Sequence, residues 1–176
     1  MDKQEEQLLK RAINGDTSAF AALVEEYYSM IYRVAYKWCG TRENAEDIAQ
    51  EVCIKLGSAI RGFERKSAFS SWLYRITLNT AKDFHRKSTK QPLYNEAAVE
   101  GAVDLSENPE NSAIGAELWQ KVAELPENQR EAVLLVYGEE RSHAEVAEIM
   151  DCKENTVSWY IHEAKKQLAD MLEGKK

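Results

Sequence analysis

Apolar residues recur along this chain at spacings of three and four, and the pattern lapses for a long stretch only between Lys87 and Ser112. Such spacing marks amphipathic helices. A first helix is predicted from near Gln4 and breaks at Gly15, where Asp16, Thr17 or Ser18 can cap the next. In the second helix Phe20, Leu23, Val24, Tyr27, Ile31, Ala35 and Trp38 form the apolar stripe, and Gly40 suits its carboxyl end. Thr41 caps a third, roughly Arg42–Gly57, with Ala45, Ile48, Ala49, Val52 and Leu56 inward. An irregular segment, Ser58–Ser67, leads to a fourth helix over Phe69–Lys87. Beyond the lapse the pattern predicts a helix near Ala113–Ala123, a break at Leu125-Pro126, and a helix to about Tyr137. Ser142-His143-Ala144-Glu145 is a capping box opening a short helix that ends at Met150. A turn over Asp151–Asn155 then leads to a last helix, about Thr156–Leu172, with Val157, Ile161, Ala164, Leu168 and Leu172 inward. No alternating β-pattern occurs. The expected fold is all-α: two small helical modules, 1–90 and 113–176, joined by a flexible acidic linker over 91–112.

Charge sharpens this division. The formal net charge is −7. Yet Arg61, Arg65, Lys66, Arg75, Lys82, Arg86, Lys87 and Lys90 are opposed in their window only by Glu64 and Asp83. Immediately afterwards Pro92–Ser112 carries Glu96, Glu100, Asp104, Glu107 and Glu110 and no Lys or Arg. A globally acidic chain with a local basic patch does not bind nucleic acid by bulk attraction; it needs a focused site or a partner that supplies the rest.

Three surfaces carry candidate chemistry. The fourth helix has two largely apolar stripes, Phe69, Trp72, Leu73, Ile76, Thr80 and Phe84 on one side and Tyr74, Leu78, Ala81 and His85 on the other. Between them lie Arg75, Asn79, Lys82 and Arg86, with Trp72 at the border. Cations neutralise phosphates, Asn reads a base edge and an indole stacks on an unstacked base, so the strip suits nucleic acid; a core helix with a solvated basic edge reads the same way. On the third helix Glu43, Glu46, Asp47, Gln50 and Glu51 cover the outer side with Ile54 at their centre, either an interface anchor in a polar rim or a solvated acidic face with one exposed Ile. The last two helices read as a helix-turn-helix whose second member turns Ser158, Trp159, His162, Lys165 and Lys166 outward, where a recognition helix meets the major groove.

Other chemistries find little support. His85, His143 and His162 lie on different elements, and neither an acid–His–nucleophile order nor a Gly-rich phosphate loop occurs, so an enzyme is not expected. Cys39, Cys53 and Cys152 form no CxxC pair and read as unpaired buried thiols, with no metal or cofactor. The amino terminus is charged and no apolar run is long enough to cross a bilayer, which points to a cytoplasmic protein without membrane insertion.

The three surfaces, in this order, resemble the RNA polymerase sigma factors of the sigma-70 superfamily, specifically the short extracytoplasmic-function (group four) type. Asn44-Ala45-Glu46-Asp47-Ile48-Ala49-Gln50-Glu51-Val52 is similar to the family's polymerase-binding helix. Phe69-Ser70-Ser71-Trp72-Leu73-Tyr74-Arg75-Ile76 followed by Asn79 is similar to its promoter-melting helix. Leu125-Pro126-Glu127-Asn128-Gln129-Arg130-Glu131, Glu145-Val146-Ala147-Glu148-Ile149 and Thr156-Val157 are similar to its carboxyl-terminal DNA-binding module. The resemblance implies a factor that directs core RNA polymerase to promoters and promotes melting. It implies docking on the β′ clamp helices through Glu46, Asp47, Gln50, Glu51 and Ile54, with the β subunit also in reach. Arg65, Lys66, Trp72, Arg75, Asn79, Lys82 and Arg86 would hold the melted minus-ten strand. Thr156, Ser158, Trp159, His162, Lys165 and Lys166 would read the minus-thirty-five element of promoter DNA. The linker would thread the polymerase's basic channels or act as a plain tether, and an anti-sigma protein is the implied regulator. The chain departs from the family where cations usually open the recognition helix: Ser158, Trp159, Tyr160 and Glu163 stand there, and Lys153 occupies a turn position where Ser is usual. Two rival readings are a free-standing dimeric helix-turn-helix regulator and a sigma-shaped module that sequesters a protein partner.

Overall fold

A computed structural model describes residues 3–90 and 113–174, with side chains described for 3–87 and 118–174. The expected linker, 91–112, lies outside the described residues, which form eight α-helices and no strand. The amino-terminal module comprises α1 (Lys3–Ile13), α2 (Thr17–Cys39), α3 (Arg42–Ala59) and α4 (Phe69–Lys90). The carboxyl-terminal module comprises α5 (Ala113–Ala123), α6 (Glu127–Val133), α7 (His143–Met150) and α8 (Glu154–Glu173).

Local chemistry explains where the helices begin and end. The Asp16 carboxylate accepts from the backbone N–H groups of Ser18 and Ala19 at 3.0 and 3.1 Å, satisfying two donors at the start of α2. That helix stops at Gly40, which adopts φ 76° and donates its N–H to the Tyr36 carbonyl at 2.8 Å. An added Cβ at Gly40 would meet nothing within 4 Å, so only the left-handed backbone opposes a side chain there. Gly40→Ala is therefore expected to cost about 1 kcal/mol, read from denaturant unfolding, without changing the fold. The Thr41 hydroxyl caps α3 through Asn44 N–H at 3.4 Å, and Ser142 and Glu145 complete the capping box of α7. Asp151, at φ 53°, ends α7 and turns the chain into α8.

Apolar faces assemble the modules. Leu23, Ile31, Val34 and Trp38 of α2, Ile48, Val52 and Leu56 of α3, and Phe69, Leu73 and Leu78 of α4 are all buried, and the three helices pack pairwise. In the second module Val133, Leu134 and Leu135 are buried with Val146, Ile149, Val157 and Ile161 where α6 and α7 pack on α8.

Several expectations need correction. The irregular segment is shorter than Ser58–Ser67, because α3 continues to Ala59 and Ile60–Gly62 forms a 3-10 turn that buries Ile60. Helix α8 starts at Glu154 rather than near Thr156, and Leu172 is 48% exposed, beyond the reach of the core. The three thiols are unpaired but only half-buried. The helix after Pro126 does not run evenly to Tyr137 but widens into a π-helical turn over Leu134–Gly138. Finally, the modules are not merely tethered: α4 packs on α7, and α2 packs on both the π-turn and α5.

Candidate functional site

The outer face of α3 follows from its period. With Ala45, Ile48, Ala49, Val52 and Leu56 buried, Asp47, Gln50 and Glu51 are left exposed and Glu46 half-buried. Ile54 is 70% exposed among them, the most exposed large apolar side chain of the described residues. Arg42 holds Glu46 at 2.8 Å and Lys55 lies 3.7 Å from Glu51, so the acids are partly ordered by their own helix.

At the start of α4, Phe63, Phe69 and Trp72 cluster, with ring centroids 4.9 Å apart for Phe63–Trp72 and 5.7 Å for Phe69–Trp72. Trp72 is half-buried and packs against the core. In the preceding loop Arg65 and Lys66 are exposed; Arg65 has φ 57° and lies 3.6 Å from Glu6, and Lys66 pairs with Glu64 at 2.5 Å. Asn79 is exposed on the same helix.

The cations of the strip face the other module. Arg75 donates to the Ile149 carbonyl at 3.1 Å and to the Glu148 carbonyl at 2.5 Å, at the carboxyl end of α7. Both carbonyls lie in the last turn of α7, where the helix dipole favours a cation. Lys82 pairs with Glu131, and Arg86 with Glu127 at 2.9 Å. Lys82 and Arg86 are four apart, as are Glu127 and Glu131, so two helix faces meet as an antiparallel charge ladder. Glu131 is raised above its ordinary value because burial outweighs the Lys82 ammonium.

Beside this ladder a single carboxylate gathers three donors. Glu139 is 6% exposed and accepts bidentately from Arg33 at 2.9 and 2.7 Å, from Lys37 at 3.1 Å and from the Tyr74 hydroxyl at 3.0 Å. Burial alone would raise its pKa, but the Arg33 hydrogen bonds and the Lys37 and Arg33 charges outweigh that and hold it below the ordinary carboxylate value. Burial, then the adjacent carboxylate, pushes the Tyr74 phenol up to about 12. Lys37 also donates to the Gly138 carbonyl. A Cβ at Gly138 would fall 2.9 Å from the Trp119 ring and 3.3 Å from the Lys37 stem, so the junction needs glycine there. Arg130 stacks 4.2 Å over the Trp38 ring, and Arg141 lies 5.4 Å from the Tyr74 ring centre.

On α8, Ser158, Trp159, His162, Lys165 and Lys166 are all exposed, and Thr156 is half-buried. Ser158 lies 3.0 Å from His143 Nδ1, which ties the two helices of the hairpin. Trp159 is 56% exposed beside Tyr160, and Lys165 sits over the Tyr137 ring at 5.4 Å. Lys153 caps α8 without a side-chain hydrogen bond, as its departure from a Ser cap implies.

Two stretches match known families: Sigma-70 region 2 over residues 23–91 and Sigma-70, region 4 over residues 115–168. The chain is 34% identical over 177 residues to the ECF RNA polymerase sigma factor SigW of Bacillus subtilis (strain 168), covering 93% of this chain and 94% of that protein. It belongs to the ECF sigma factors of the sigma-70 family. It is likewise 32% identical to the RNA polymerase sigma-H factor of Pseudomonas aeruginosa, over 97% of this chain and 95% of that one. Among solved structures, CnrH in complex with the cytosolic domain of CnrY shares the fold, with a TM-score of 0.73 at 21% identity over 98% of this chain and 99% of that chain. This is thus a sigma factor acting in transcription initiation.

In this sigma factor the three expected surfaces do not form one site. The α3 face and the α8 face stay open, whereas Arg75, Lys82 and Arg86 of the α4 strip are engaged by the carboxyl-terminal module and Asn79 stays exposed. Sequence reading missed Arg33, Lys37, Glu127, Glu131 and Glu139 as partners in that closure. One signal for it was present: the complementary i, i+4 pairs Lys82/Arg86 and Glu127/Glu131.

Proposed function

We propose that residues 1–90 dock this sigma factor on the β′ clamp helices of core RNA polymerase and hold the melted minus-ten strand. Residues 113–176 then read the minus-thirty-five element, and 91–112 span the gap beside the β subunit. The observation that carries the reading is the α3 face: Ile54, 70% exposed, set among exposed Asp47, Gln50 and Glu51 on a helix whose other side is fully buried. An apolar anchor in a polar rim is what a protein interface needs, and solvent exposure of this kind otherwise earns nothing for the fold. Glu46 stands at the rim.

Arg65, Lys66, Trp72, Arg75, Asn79, Lys82 and Arg86 supply the strand site, by phosphate neutralisation, an amide for a base edge and an indole for stacking. Thr156, Ser158, Trp159, His162, Lys165 and Lys166 supply the duplex contacts in the major groove. An anti-sigma protein as regulator, action in the cytoplasm and a role without catalysis belong to the same reading. No described helix is long and apolar enough to cross a membrane. Run-off transcription with core polymerase on genomic fragments tests it: the chain is expected to direct discrete transcripts sharing upstream and minus-ten elements. Promoter-specific transcripts at background level would refute it, and an operator footprint formed without polymerase would favour the free-standing regulator.

A further inference from the structure

We propose that a cavity lined by Trp38 and Arg130 is a site for one small oxyanion, an inorganic phosphate or the carboxylate of a small acid. The cavity measures about 160 Å³. Its walls come from the end of α2, the first turn of α3, α4 and the corner between α5 and α6. Pockets for drug-sized ligands run to about 300–1,000 Å³, so this one admits only an ion or molecule of a few heavy atoms.

Two donors of the lining residues lack acceptors. Trp38 Nε1 and Arg130 Nε are buried without a hydrogen-bond partner, in residues only 2% and 7% exposed. Such donors are rare in folded proteins, because each loses its hydration and gains nothing in return. Arg130 adds a charge. Glu127 and Glu131 on its own helix are engaged by Arg86 and Lys82, and Arg130 forms no ion pair among the described residues. Its hydrogen bond to the Ala123 carbonyl is long, 3.4 Å. Burial pulls the guanidinium below its ordinary pKa, and the Cys39 thiol and the Glu127 charge offset this only in part. A buried cation without a counter-charge is costly, and an anion relieves that cost where neutral water does so only by hydrogen bonding.

Geometry favours an oxyanion. The guanidinium stacks over the Trp38 ring at 4.2 Å, so its face is occupied and its Nε–H edge is left for a ligand. Carboxylate and phosphate oxygens accept from such a planar edge, and the indole N–H supplies a second donor. No Asp or Glu lines the cavity. Asn44, which does, sits in the first turn of α3 at the positive end of that helix dipole. Phe84 and Ala123 supply apolar walls, which strengthen a charge interaction inside. Trp38 and Asn44 belong to one module and Arg130 to the other, so the ion binds the packed chain and stabilises it in proportion to occupancy.

The test uses the full chain: wild type, Arg130→Met, Trp38→Phe, and Lys10→Met as a control that removes an exposed cation elsewhere. Equilibrium dialysis at fixed chloride concentration, against radiolabelled phosphate and separately against radiolabelled acetate, reads occupancy; circular dichroism checks folding. Wild type and Lys10→Met are expected to bind one ion per chain saturably, and the ion bound more tightly identifies the class. Arg130→Met is expected to weaken binding by at least about tenfold, as for a lost hydrogen bond to a charged partner. Trp38→Phe keeps an aromatic ring beneath the guanidinium and removes the N–H. It is expected to weaken binding severalfold, and it decides the matter if Arg130→Met fails to fold. No saturable binding of either ion by wild type would overturn the site and leave the cavity to water. Wild-type binding by folded Arg130→Met, or by Trp38→Phe where Arg130→Met fails to fold, would also overturn it, by placing the ion on other cations.

Discussion

Asp47→Arg or Glu51→Arg is expected to abolish assembly with core RNA polymerase while leaving the helical content unchanged. Both side chains are exposed on α3, and neither contributes to the buried row Ala45, Ile48, Ala49, Val52 and Leu56. A reversed charge at a complementary interface costs more than a lost contact, since it sets like charges together and leaves both desolvated. Glu51 faces Lys55 at 3.7 Å, with side chains 47% and 39% exposed, so its loss costs the fold little. Ile54→Ala removes the central anchor and is expected to weaken assembly by about 1–2 kcal/mol. Co-purification with core enzyme reads the reversals, and titration of labelled chain reads Ile54→Ala. Normal assembly of both reversals would remove α3 from the docking surface.

Arg75→Ala and Lys82→Ala are expected to assemble with polymerase normally yet form open complexes poorly. If each side chain neutralises one phosphate of a single strand, its loss flattens the dependence of log K on log salt by about 0.7. The same variants also lose their contacts to Glu148, Ile149 and Glu131, so the free chain is expected to loosen as promoter melting falls. Wild-type helical content by circular dichroism in a variant that both loosens and melts the promoter poorly separates a dual role from simple unfolding. Trp72→Ala behaves differently, because Trp72 packs on Phe63 and Phe69: it is expected to lower stability by about 2 kcal/mol as well as melting. Permanganate reactivity of promoter thymines reads melting and thermal unfolding reads stability. Wild-type permanganate reactivity in all three variants would rule out α4 as the strand-holding helix.

The helices and their ends were legible because they depend on neighbours in sequence. Asp16, Thr41 and the Ser142–Glu145 box each act within three residues of themselves, and Gly40 stops α2 by its own backbone. The exposed faces were legible for the same reason: once Ile48 and Val52 point inward, a period of 3.6 residues places Asp47, Gln50 and Ile54 outward wherever the helix lies. The π-turn over Leu134–Gly138 was not legible, since its widening answers packing against α2 and α7 rather than any local residue pattern.

The fate of the basic strip was decided only in three dimensions. Periodicity put Arg75, Lys82 and Arg86 on one strip of α4, and the sequence by itself determined that this strip would be cationic and unburied by its own module. What covers it depends on residues far along the chain: Arg33 meets Glu139 across 106 positions and Arg75 meets Ile149 across 74. A carboxylate such as Glu139 carries no local mark of its partner, because an ion pair between modules is set by how two apolar cores place their surfaces and not by spacing in the sequence. Composition and period thus determined a helical chain with one acidic face, one basic strip and one mixed polar and aromatic face on its last helix. Tertiary packing decided which faces remain open, because only the folded modules bring the oxygens of α6, α7 and Glu139 within hydrogen-bond reach of the cations on α2 and α4.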